Sequence, residues 1–412
     1  MRLLFIGYNY KPEPTGIGKY TGEMVEWLAK AGHECTIITT YPYYPYWKVQ
    51  QPYEKHKFWY SKEKQEFESG GSIKVYRCPM YVPEKPSGLK RVLLDFSFFT
   101  SAFFQLLKLM GYSKFDYIMC IVPSFQLGLL GVFYKKLEGG KLIYHIQDLQ
   151  IEAARDFKMI NSEFAINTMF RIEKYIFKNA DVVSSISEGM NLRISKKAGK
   201  PAYRLPNWTD TKFFRPIPSP DKLKEQFGFK AEDRIILYSG AIGEKQGLET
   251  IIIAANKMRE EKKIHFIICG TGPYKTNLES QSSSLGLRNV HFFRLQPMEK
   301  FNEFLNMADI HLVIQKAKAS DLVMPSKLTT ILGVGGLALV TAEPQTTLYQ
   351  VISEHKMGIL IAPEDDKAFL LGIQKALAID RKSDIHRNAR EYAEKNLSVD
   401  SIMTDFQEIV LT

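Results

Sequence analysis

The 412-residue sequence has only four cysteines, and none of them is in a paired pattern. Cys35, Cys78, Cys120 and Cys269 are far apart, and no C-x-x-C or Cys/His spacing connects them. Structural zinc sites and redox motifs need closely spaced thiols. The pattern therefore argues against a bound metal. We expect reduced thiols buried in the core, where a free cysteine behaves as a small apolar residue.

Long apolar runs are also missing. The N-terminus carries one Arg and then a short apolar run, which is not enough for a signal peptide. No uninterrupted run approaches the roughly 20 apolar residues of a membrane-spanning helix. Signatures of RNA- or DNA-binding modules are absent too, so nucleic acid is the least expected partner. We expect a cytoplasmic protein.

What the chain does contain is an excess of positive charge on a globular composition. The formal net charge is +10, with 45% apolar and 24% charged residues. Such an excess suits an anionic partner, for example nucleotide phosphates or a membrane surface. The length predicts about two domains of roughly 150–200 residues each.

Short apolar runs alternate with helical patterns in both halves of the chain. LLFIGYN, ECTIITT and FDYIMCIV are strand-like runs of the first half, and RIILYSG restarts the pattern after a proline cluster at Pro216, Pro218 and Pro220. This alternation is typical of parallel strands buried on both faces. We predict an α/β protein with two doubly wound parallel-sheet domains, residues 1–210 and 211–385, joined by a linker at the prolines. A helical tail follows at 386–412, and a cleft between the domains is the expected ligand site.

The stretch TGIGKYTG places Gly16 and Gly18 shortly after the first strand. A dinucleotide fingerprint has its glycines directly at the strand end and an acidic residue about 20 residues later. Here KPEPT intervenes, and Thr39 and Thr40 occupy the end of the second strand. A P-loop also fails, because its four-residue spacer is missing. Two interpretations remain: a plain turn, or a helix start whose free N–H groups face an anion.

Three stretches of the second half indicate a phosphate site: YSGAIGEKQGLE, ICGTGP and LVMPSKLTTILGVGG. Each places small or basic residues at a predicted strand end or helix start. Glycines allow a ligand to approach the backbone, and a helix start attracts an anion. Each stretch alone also suits an ordinary turn or helix start, but together they favour a nucleoside diphosphate. The residues concerned are Gly240, Lys245, Gly270, Gly272, Ser326 and Lys327.

These stretches, with the G-x-G loop, His145 in IYHIQD and the segment RLPNWTDTKFFRP, resemble glycosyltransferase family 4, and within it the bacterial exopolysaccharide transferases. The resemblance implies the GT-B architecture of two Rossmann-like domains. It places a UDP- or GDP-sugar donor on the C-terminal domain and the acceptor on the N-terminal one. It also implies sugar transfer with retention of anomeric configuration and no metal or other cofactor.

The resemblance assigns roles to individual residues. It implies that Gly16 and Gly18 approach the donor diphosphate and that His145, the expected catalytic residue, contacts the transferred sugar. It implies donor contacts for the phosphate-site residues named above, with Lys245 neutralising a phosphate and Ser326 and Lys327 lying under the diphosphate. Two departures concern the donor: Ala241 replaces a frequent Arg, and Thr330 replaces a ribose-binding Glu.

Aromatic and apolar segments of the first half bear on the acceptor. YPYYPYW at 41–47 includes Tyr44 and Trp47, which suit stacking on a sugar ring or contact with a membrane surface. Asp148 is a candidate for orienting the acceptor, or simply part of a solvated helix start. Residues 86–110 are strongly apolar, are interrupted by Asp95, and predict either a core helix or an amphipathic helix at a membrane surface. We therefore consider a lipid-linked saccharide acceptor and peripheral contact with the anionic inner face of the cell membrane.

Three functions stay open at this point. The favoured one is a retaining glycosyltransferase. A sugar-nucleotide epimerase of the same architecture would need paired acid and base residues, and His145 has no obvious partner in the sequence. A nicotinamide-dependent oxidoreductase is disfavoured by Thr39 and Thr40. For His145 itself the alternative is a satisfied histidine of the core.

Overall fold

A computed structural model describes residues 1–13, 16–111, 114–156, 160, 162–316 and 325–412, with only the backbone of 153, 156 and 245. The chain forms two compact units. The N-terminal unit comprises Met1–Pro206 together with Met403–Thr412, and the C-terminal unit comprises Asn207–Ile402.

The N-terminal unit is built on an eight-stranded sheet in the order β3-β4-β2-β1-β5-β6-β7-β8. The central strand β5 is buried along its whole length and β6 from Leu142 onward, which explains why their sequences are nearly continuous apolar runs. Only β3 runs antiparallel, on the outer side of β4. Its sequence SKEKQE is polar and charged, as suits an edge strand, and for that reason no apolar pattern predicted it. The strands are β1 (Arg2–Ile6), β2 (Glu34–Thr40), β3 (Ser61–Glu66), β4 (Ser72–Cys78), β5 (Tyr117–Val122), β6 (Lys141–Ile146), β7 (Val182–Ser185) and β8 (Tyr203–Arg204).

Helices connect these parallel strands. The first of them buries one face, including Met24 and Leu28, and ends where Gly32 takes a left-handed conformation that only glycine adopts freely. The helices are α1 (Gly16–Lys30), α2 (Gly88–Leu109), α3 (Leu127–Glu138), α4 (Gln150–Asp156), α5 (Glu163–Asn179) and α6 (Glu188–Ala198).

The C-terminal unit has six parallel strands in the order β11-β10-β9-β12-β13-β14. Strand β9 is central, and the chain builds outward from it first on one side and then, from β12, on the other. The N-terminal unit reverses in the same way between β1 and β5. The predicted pair of doubly wound parallel sheets is confirmed. The strands are β9 (Arg234–Ser239), β10 (Ile264–Cys269), β11 (Val290–Phe293), β12 (Ile310–Val313), β13 (Ala338–Thr341) and β14 (Gly358–Ile361).

The helices of the C-terminal unit and the tail complete the fold. The predicted helical tail consists of α14 and α15, and the last turns of α15 belong to the N-terminal unit, where Phe406 packs on Tyr203. All four cysteines are buried and unpaired, as expected for core thiols. The helices are α7 (Asp221–Gln226), α8 (Glu249–Lys257), α9 (Lys275–Ser284), α10 (Met298–Asn306), α11 (Ser326–Gly333), α12 (Thr347–His355), α13 (Asp366–Leu377), α14 (Asp384–Asn396) and α15 (Val399–Val410).

The proline-rich segment interpreted as a linker is packed into the C-terminal unit, so that interpretation was wrong. Phe214 is only 1% exposed and packs edge-on against Phe301, with ring centroids 5.9 Å apart. The backbone is tied down too: Ile217 N donates to Asn306 Oδ1 at 2.8 Å, and Arg390 Nη1 donates to Phe214 O at 2.7 Å. Prolines mark the end of regular structure, but they say nothing about the distant side chains that hold such a segment.

Because Phe214 also lies against Gly333 of α11, we expect Phe214→Ala to loosen that helix. Removing a buried phenyl ring costs about 3–5 kcal/mol of unfolding free energy. Chemical denaturation followed by circular dichroism measures this loss. Lys212→Ala, an exposed position two residues away, is the matched control and should unfold like the parent. Equal stability of the Phe214→Ala variant would contradict the packed segment.

Candidate active site

The strand order of the C-terminal sheet reverses between β9 and β12. In such sheets ligands bind at the carboxyl ends of the two strands that flank the reversal. These are β9, which is followed by Gly240, and β12, whose connection leads to α11. Residues 317–324 of that connection, including 322–324 of the third predicted stretch, lie outside the described residues. Two of the three predicted stretches thus flank one strand-order reversal.

The loops after β9 and β10 pack backbone against backbone. Gly240 N donates to Cys269 O at 3.0 Å, and Ile242 N donates to Thr271 O at 2.9 Å. A side chain at Gly270 would collide with the carbonyl oxygen of Gly240, and one at Gly272 with that of Ile242. The glycines of ICGTGP therefore have a packing reason, which is to let these two loops lie side by side at the strand ends.

Lys327 carries the most unusual electrostatics of this edge. Its Nζ lies 3.8 Å from the centroid of the Tyr238 ring and beside Gly240. The ammonium end is buried and has no hydrogen-bond partner in the part of the chain that the structure describes. Burial lowers the pKa of Lys327 to about 7. The cation–π contact with Tyr238 does not offset the burial of the ammonium group. A bound anion would stabilise the charged form of Lys327.

The start of α11 adds backbone N–H groups to this lysine. Pro325, the residue before the helix, provides no side-chain cap, and Ser326 is exposed in the first turn. Thr330 Oγ1 donates to Lys327 O at 3.0 Å, so the hydroxyl proton is used inside the helix while its lone pairs can still accept a bond. An uncapped helix start beside a buried lysine is suited to bind phosphate oxygens.

The side chain of Lys245 lies outside the described residues. Its backbone forms a short 3-10 turn, Glu244–Gln246, between Gly243 and Gly247. Gly243 N donates to Gln246 Oε1 at 3.1 Å, and Gly247 adopts a left-handed conformation with φ 67°. Because Gly247 has a left-handed backbone conformation, a side chain at this position would be strained, which explains the glycine on the C-terminal side of the turn.

In the N-terminal unit the predicted glycine loop is organised around Glu13, which sequence reasoning had not singled out. Its carboxylate accepts bonds from Tyr43 N at 3.1 Å, Tyr44 N at 3.0 Å and Asn9 Nδ2 at 2.9 Å. A side chain at Gly18 would collide with this carboxylate, and Gly16 lies beside the Tyr44 ring. Glu13 therefore joins the start of α1 to the aromatic loop, and brings Gly16, Gly18 and Tyr44 together.

The buried Arg77 holds the loop that carries Glu13 by bonds to backbone carbonyl groups. Arg77 donates from Nη2 to Lys11 O at 2.9 Å and from Nη1 to Thr40 O at 3.0 Å. Its guanidinium also pairs with Glu63 and lies over the Tyr53 ring. The loop after β1 is thus tied to the end of β2. Burial raises the pKa of Glu13 to about 7, although its three hydrogen bonds oppose the shift.

His145 is the penultimate residue of β6 and is buried beside β7. Its Nδ1 lies 3.0 Å from Ser184 Oγ, the residue paired with it in the strand register. Burial lowers the pKa of His145 to about 3, so the imidazole is neutral at physiological pH. A neutral imidazole can hydrogen-bond a sugar hydroxyl but does not supply positive charge. The contact with Ser184 also agrees with the alternative, a core histidine whose ring nitrogen is hydrogen-bonded within the unit.

The remaining predicted residues of the acceptor side lie at the same strand edge or next to it. Asp148 is exposed after β6. Trp47 is half-buried, stands 6.5 Å from the Tyr44 ring and has the Arg91 guanidinium over it at 5.4 Å. Asp95 of α2 accepts a bond from Gln150 Nε2 at 2.9 Å, which links α2 to the helix after β6. Burial raises the pKa of Asp95 to about 6.

The residues of these arrangements that were not predicted as site residues include Glu13, Asp95, Ser184 and Tyr238. Two of them had a signal in the sequence. Asp95 interrupts an otherwise apolar helix, and Glu13 stands between two prolines directly before the glycine loop. Ser184 and Tyr238 had none, because each acts through a partner on a different strand or helix.

Two doubly wound parallel-sheet α/β units in one chain are the architecture of the GT-B fold. Family models agree: residues 15–208 match the glycosyl transferase 4-like domain, and residues 219–396 match glycosyl transferases group 1. The chain belongs to this glycosyltransferase family, as its resemblance to family 4 indicated. It is 40% identical to the putative colanic acid biosynthesis glycosyl transferase WcaI of Escherichia coli K12, over 98% of both chains.

Solved structures show the same fold at low identity. Sucrose-phosphate synthase of Thermosynechococcus elongatus aligns with a TM-score of 0.74 and 17% identity, over 99% of this chain and 98% of that one. Anabaena HepE in complex with UDP aligns with a TM-score of 0.71 and 14% identity over the full length of both chains. Likeness at this identity describes the fold alone.

We expect the raised pKa of Glu13 to make stability depend on pH. Its pKa is about 7 in the folded chain against an ordinary 4.5, so the folded state binds more protons between these values. The Glu13 contribution to the free energy of unfolding therefore falls as pH rises from about 4.5 to about 7. Glu13→Gln keeps an acceptor for Tyr43 N and Tyr44 N but cannot ionise. Denaturant titrations from pH 4.5 to 8 should show its stability relative to the parent increasing with pH, while the exposed Glu68→Gln control follows the parent.

Lys327 predicts the opposite slope over another pH range. Its pKa is about 7 in the folded chain against an ordinary 10.5, so the unfolded state binds more protons between these values. The Lys327 contribution to the free energy of unfolding therefore rises with pH from about 7 upward. Lys327→Met removes this contribution, and its stability advantage over the parent should shrink between pH 7 and 9. An advantage that is constant with pH, as expected of the exposed Lys375→Met control, would contradict the buried lysine.

Proposed function

We propose that this chain is a retaining glycosyltransferase that moves a sugar from a nucleoside-diphosphate sugar to a saccharide acceptor in exopolysaccharide biosynthesis. The observation that carries the proposal is the buried Lys327 Nζ, which has no hydrogen-bond partner among the described residues and lies beside Gly240 and the uncapped start of α11. The likeness to WcaI over nearly the full chain supports the biosynthetic role.

The proposed chemistry needs positive groups on the leaving diphosphate, because the bond to the sugar breaks with negative charge moving onto the phosphate. Lys327, Lys245 and the N–H groups of α11 provide that charge without a metal ion. A bound diphosphate keeps Lys327 protonated and so offsets the effect of its burial. Gly240, Gly270 and Gly272 let the loops over the strand ends pack closely enough to leave room for the phosphates.

His145 is proposed to contact the transferred sugar, as the family resemblance implies. Since its imidazole is neutral, its contribution is a hydrogen bond to a hydroxyl group, oriented by Ser184 at Nδ1. An epimerase would need an acid and a base on the two faces of the sugar. The partner of His145 is a serine hydroxyl rather than a carboxylate, which does not favour that alternative.

We propose a uridine nucleotide as the donor carrier, with guanosine as the competing choice. HepE, which shares the fold, is known in complex with UDP and with UDP-glucose. In this chain Thr330 replaces the ribose-binding Glu of many relatives, and its lone pairs remain available to a ribose hydroxyl. A neutral hydroxyl binds that group more weakly than a carboxylate does.

The acceptor is proposed to be a lipid-linked saccharide bound by the N-terminal unit at the cytoplasmic face of the membrane. Tyr44, Trp47 and Asp148 are the proposed contacts, with Gly16 and Gly18 at the loop that Glu13 holds in place. The net charge of +10 supports an approach to an anionic surface.

A donor screen and a turnover assay test the proposal together. Thermal-shift measurements with UDP, GDP, ADP and NAD should show stabilisation by UDP or GDP, and stabilisation by NAD alone would refute a glycosyltransferase. Nucleoside diphosphate release should require an acceptor, and NMR of the product should show the anomeric configuration of the donor.

Lys327→Met should lower turnover by about 100-fold or more, the size found when one group that stabilises an anionic transition state is removed. Lys375→Met, an exposed lysine of the same unit, is the matched control and should turn over like the parent. Equal turnover of the two variants would contradict a role for Lys327 on the diphosphate.

A further inference from the structure

Helix α2 exposes a row of large apolar side chains along its outer side. The six residues lie between 40% and 74% exposed and follow one another at helical spacing. We call them the outer row: Leu89, Val92, Leu93, Phe96, Phe104 and Leu107. A helix on a protein surface normally presents polar residues on this side. A contiguous apolar surface of this kind marks a place where something binds.

The opposite side of α2 is apolar as well, because it is the side that packs on the sheet. Leu94, Phe98, Ala102 and Leu106 are buried and lie over β2 and β4. The helix is therefore apolar on both sides, and packing in the core accounts for only one of them. By length and composition α2 is the one helix among the described residues that is apolar enough to cross a membrane. Its inner side, however, is committed to the sheet.

Polar groups on the outer side are already satisfied within the helix. Thr100 Oγ1 donates to Phe96 O at 2.9 Å, and Ser97 Oγ donates to Leu94 O at 2.8 Å. Hydroxyl groups bonded in this way to a preceding turn cost less to remove from water. The outer row can therefore enter an apolar environment without leaving these donors unpaired.

An aromatic pair continues the apolar surface beside the C-terminal half of α2. Phe58 and Trp59 are 75% and 74% exposed. The next residue, Tyr60, donates from its hydroxyl to Ser101 O of α2 at 3.1 Å, and Lys108 Nζ lies 4.8 Å from its ring centroid. Exposed tryptophan next to lysine is typical of the boundary between a bilayer and water.

The charge of α2 has one sign on the side that faces solvent. Lys90, Arg91 and Lys108 are all exposed. The single carboxylate of the helix, Asp95, bonds to Gln150 inside the unit. Apolar side chains bordered by basic ones complement a bilayer with acidic phospholipids, because its headgroups are anionic and the acyl chains beneath them are apolar.

We propose that the N-terminal unit docks on anionic phospholipid bilayers with α2 lying flat in the interface, its outer row and the Phe58–Trp59 pair inserted among the lipids. The role of this docking rests on the proposed function, because docking would bring the enzyme to a lipid-linked acceptor. Asp95 and Gln150 connect the docked helix to the strand edge that carries His145 and Asp148.

Co-sedimentation with vesicles tests the docking surface directly. One set of vesicles is phosphatidylcholine alone, and the other contains phosphatidylglycerol in addition. We expect binding to the mixed vesicles, weaker binding to phosphatidylcholine, and a loss with added salt. The triple variant L89S/L93S/F96S should reduce the partition coefficient on the mixed vesicles by about tenfold or more, because burial of apolar area drives interfacial binding.

The matched control is L137S/F164S/L192S, which removes three apolar side chains that are 60–80% exposed elsewhere in the same unit. It should bind vesicles like the parent. A blue shift of tryptophan fluorescence on binding should disappear in Trp59→Phe. Circular dichroism, and thermal shift with UDP, should be alike in all these variants.

Equal vesicle binding by the parent and L89S/L93S/F96S would overturn the proposal. So would a parent that binds no vesicles but forms a dimer in sedimentation velocity that the triple variant loses, because a second copy of the chain then covers the outer row. Failure of the proposed function is distinct from either result: it appears as a missing response to UDP and GDP, while vesicle binding persists.

Discussion

Parallel strand pairing at the centre of each sheet decides where the functional groups of this protein lie. Strand β1 pairs with β2 and β5, and β9 pairs with β10 and β12, all in the parallel sense. Parallel neighbours need a crossover connection, so the loops that follow the strands gather at one edge. The loops with Gly240 and Gly270 and the helix that begins at Ser326 meet for this reason, although more than 80 residues separate the first from the last.

Buried ionisable groups then give these edges their chemistry. Glu13 and Lys327 are of opposite sign, lie in different units, and have pKa values displaced toward neutrality by burial. Each is expensive to bury in its charged form, and neither is needed for packing alone. Glu13 recovers part of this cost through backbone N–H groups, whereas Lys327 Nζ contacts the ring face of Tyr238 and has no hydrogen-bond partner among the described residues. This difference agrees with Glu13 organising a loop and with the anion contact proposed for Lys327.

Helix α2 combines two environments that a soluble fold usually separates. Its inner side builds the core of the N-terminal unit, and its outer side presents apolar residues with basic neighbours. The predicted core helix describes the inner side, and the predicted helix at a membrane surface stays a proposal for the outer side. Asp95 belongs to neither, because it joins the helix to Gln150 at the strand edge.

The sequence by itself determined the alternation of strands and helices, the glycines at strand ends and the resemblance to a glycosyltransferase family, since these are local patterns of polarity and turn chemistry. Only the tertiary structure decided that Phe214 packs in the C-terminal unit, that Glu13 holds the glycine loop, and that Lys327 Nζ is buried with no hydrogen-bond partner in the part of the chain that the structure describes. Each of these depends on residues far away in the chain: Arg390 for the Phe214 segment, Tyr43 for Glu13 and Tyr238 for Lys327. Burial and hydrogen bonding arise from such distant contacts, and a local pattern carries no record of them.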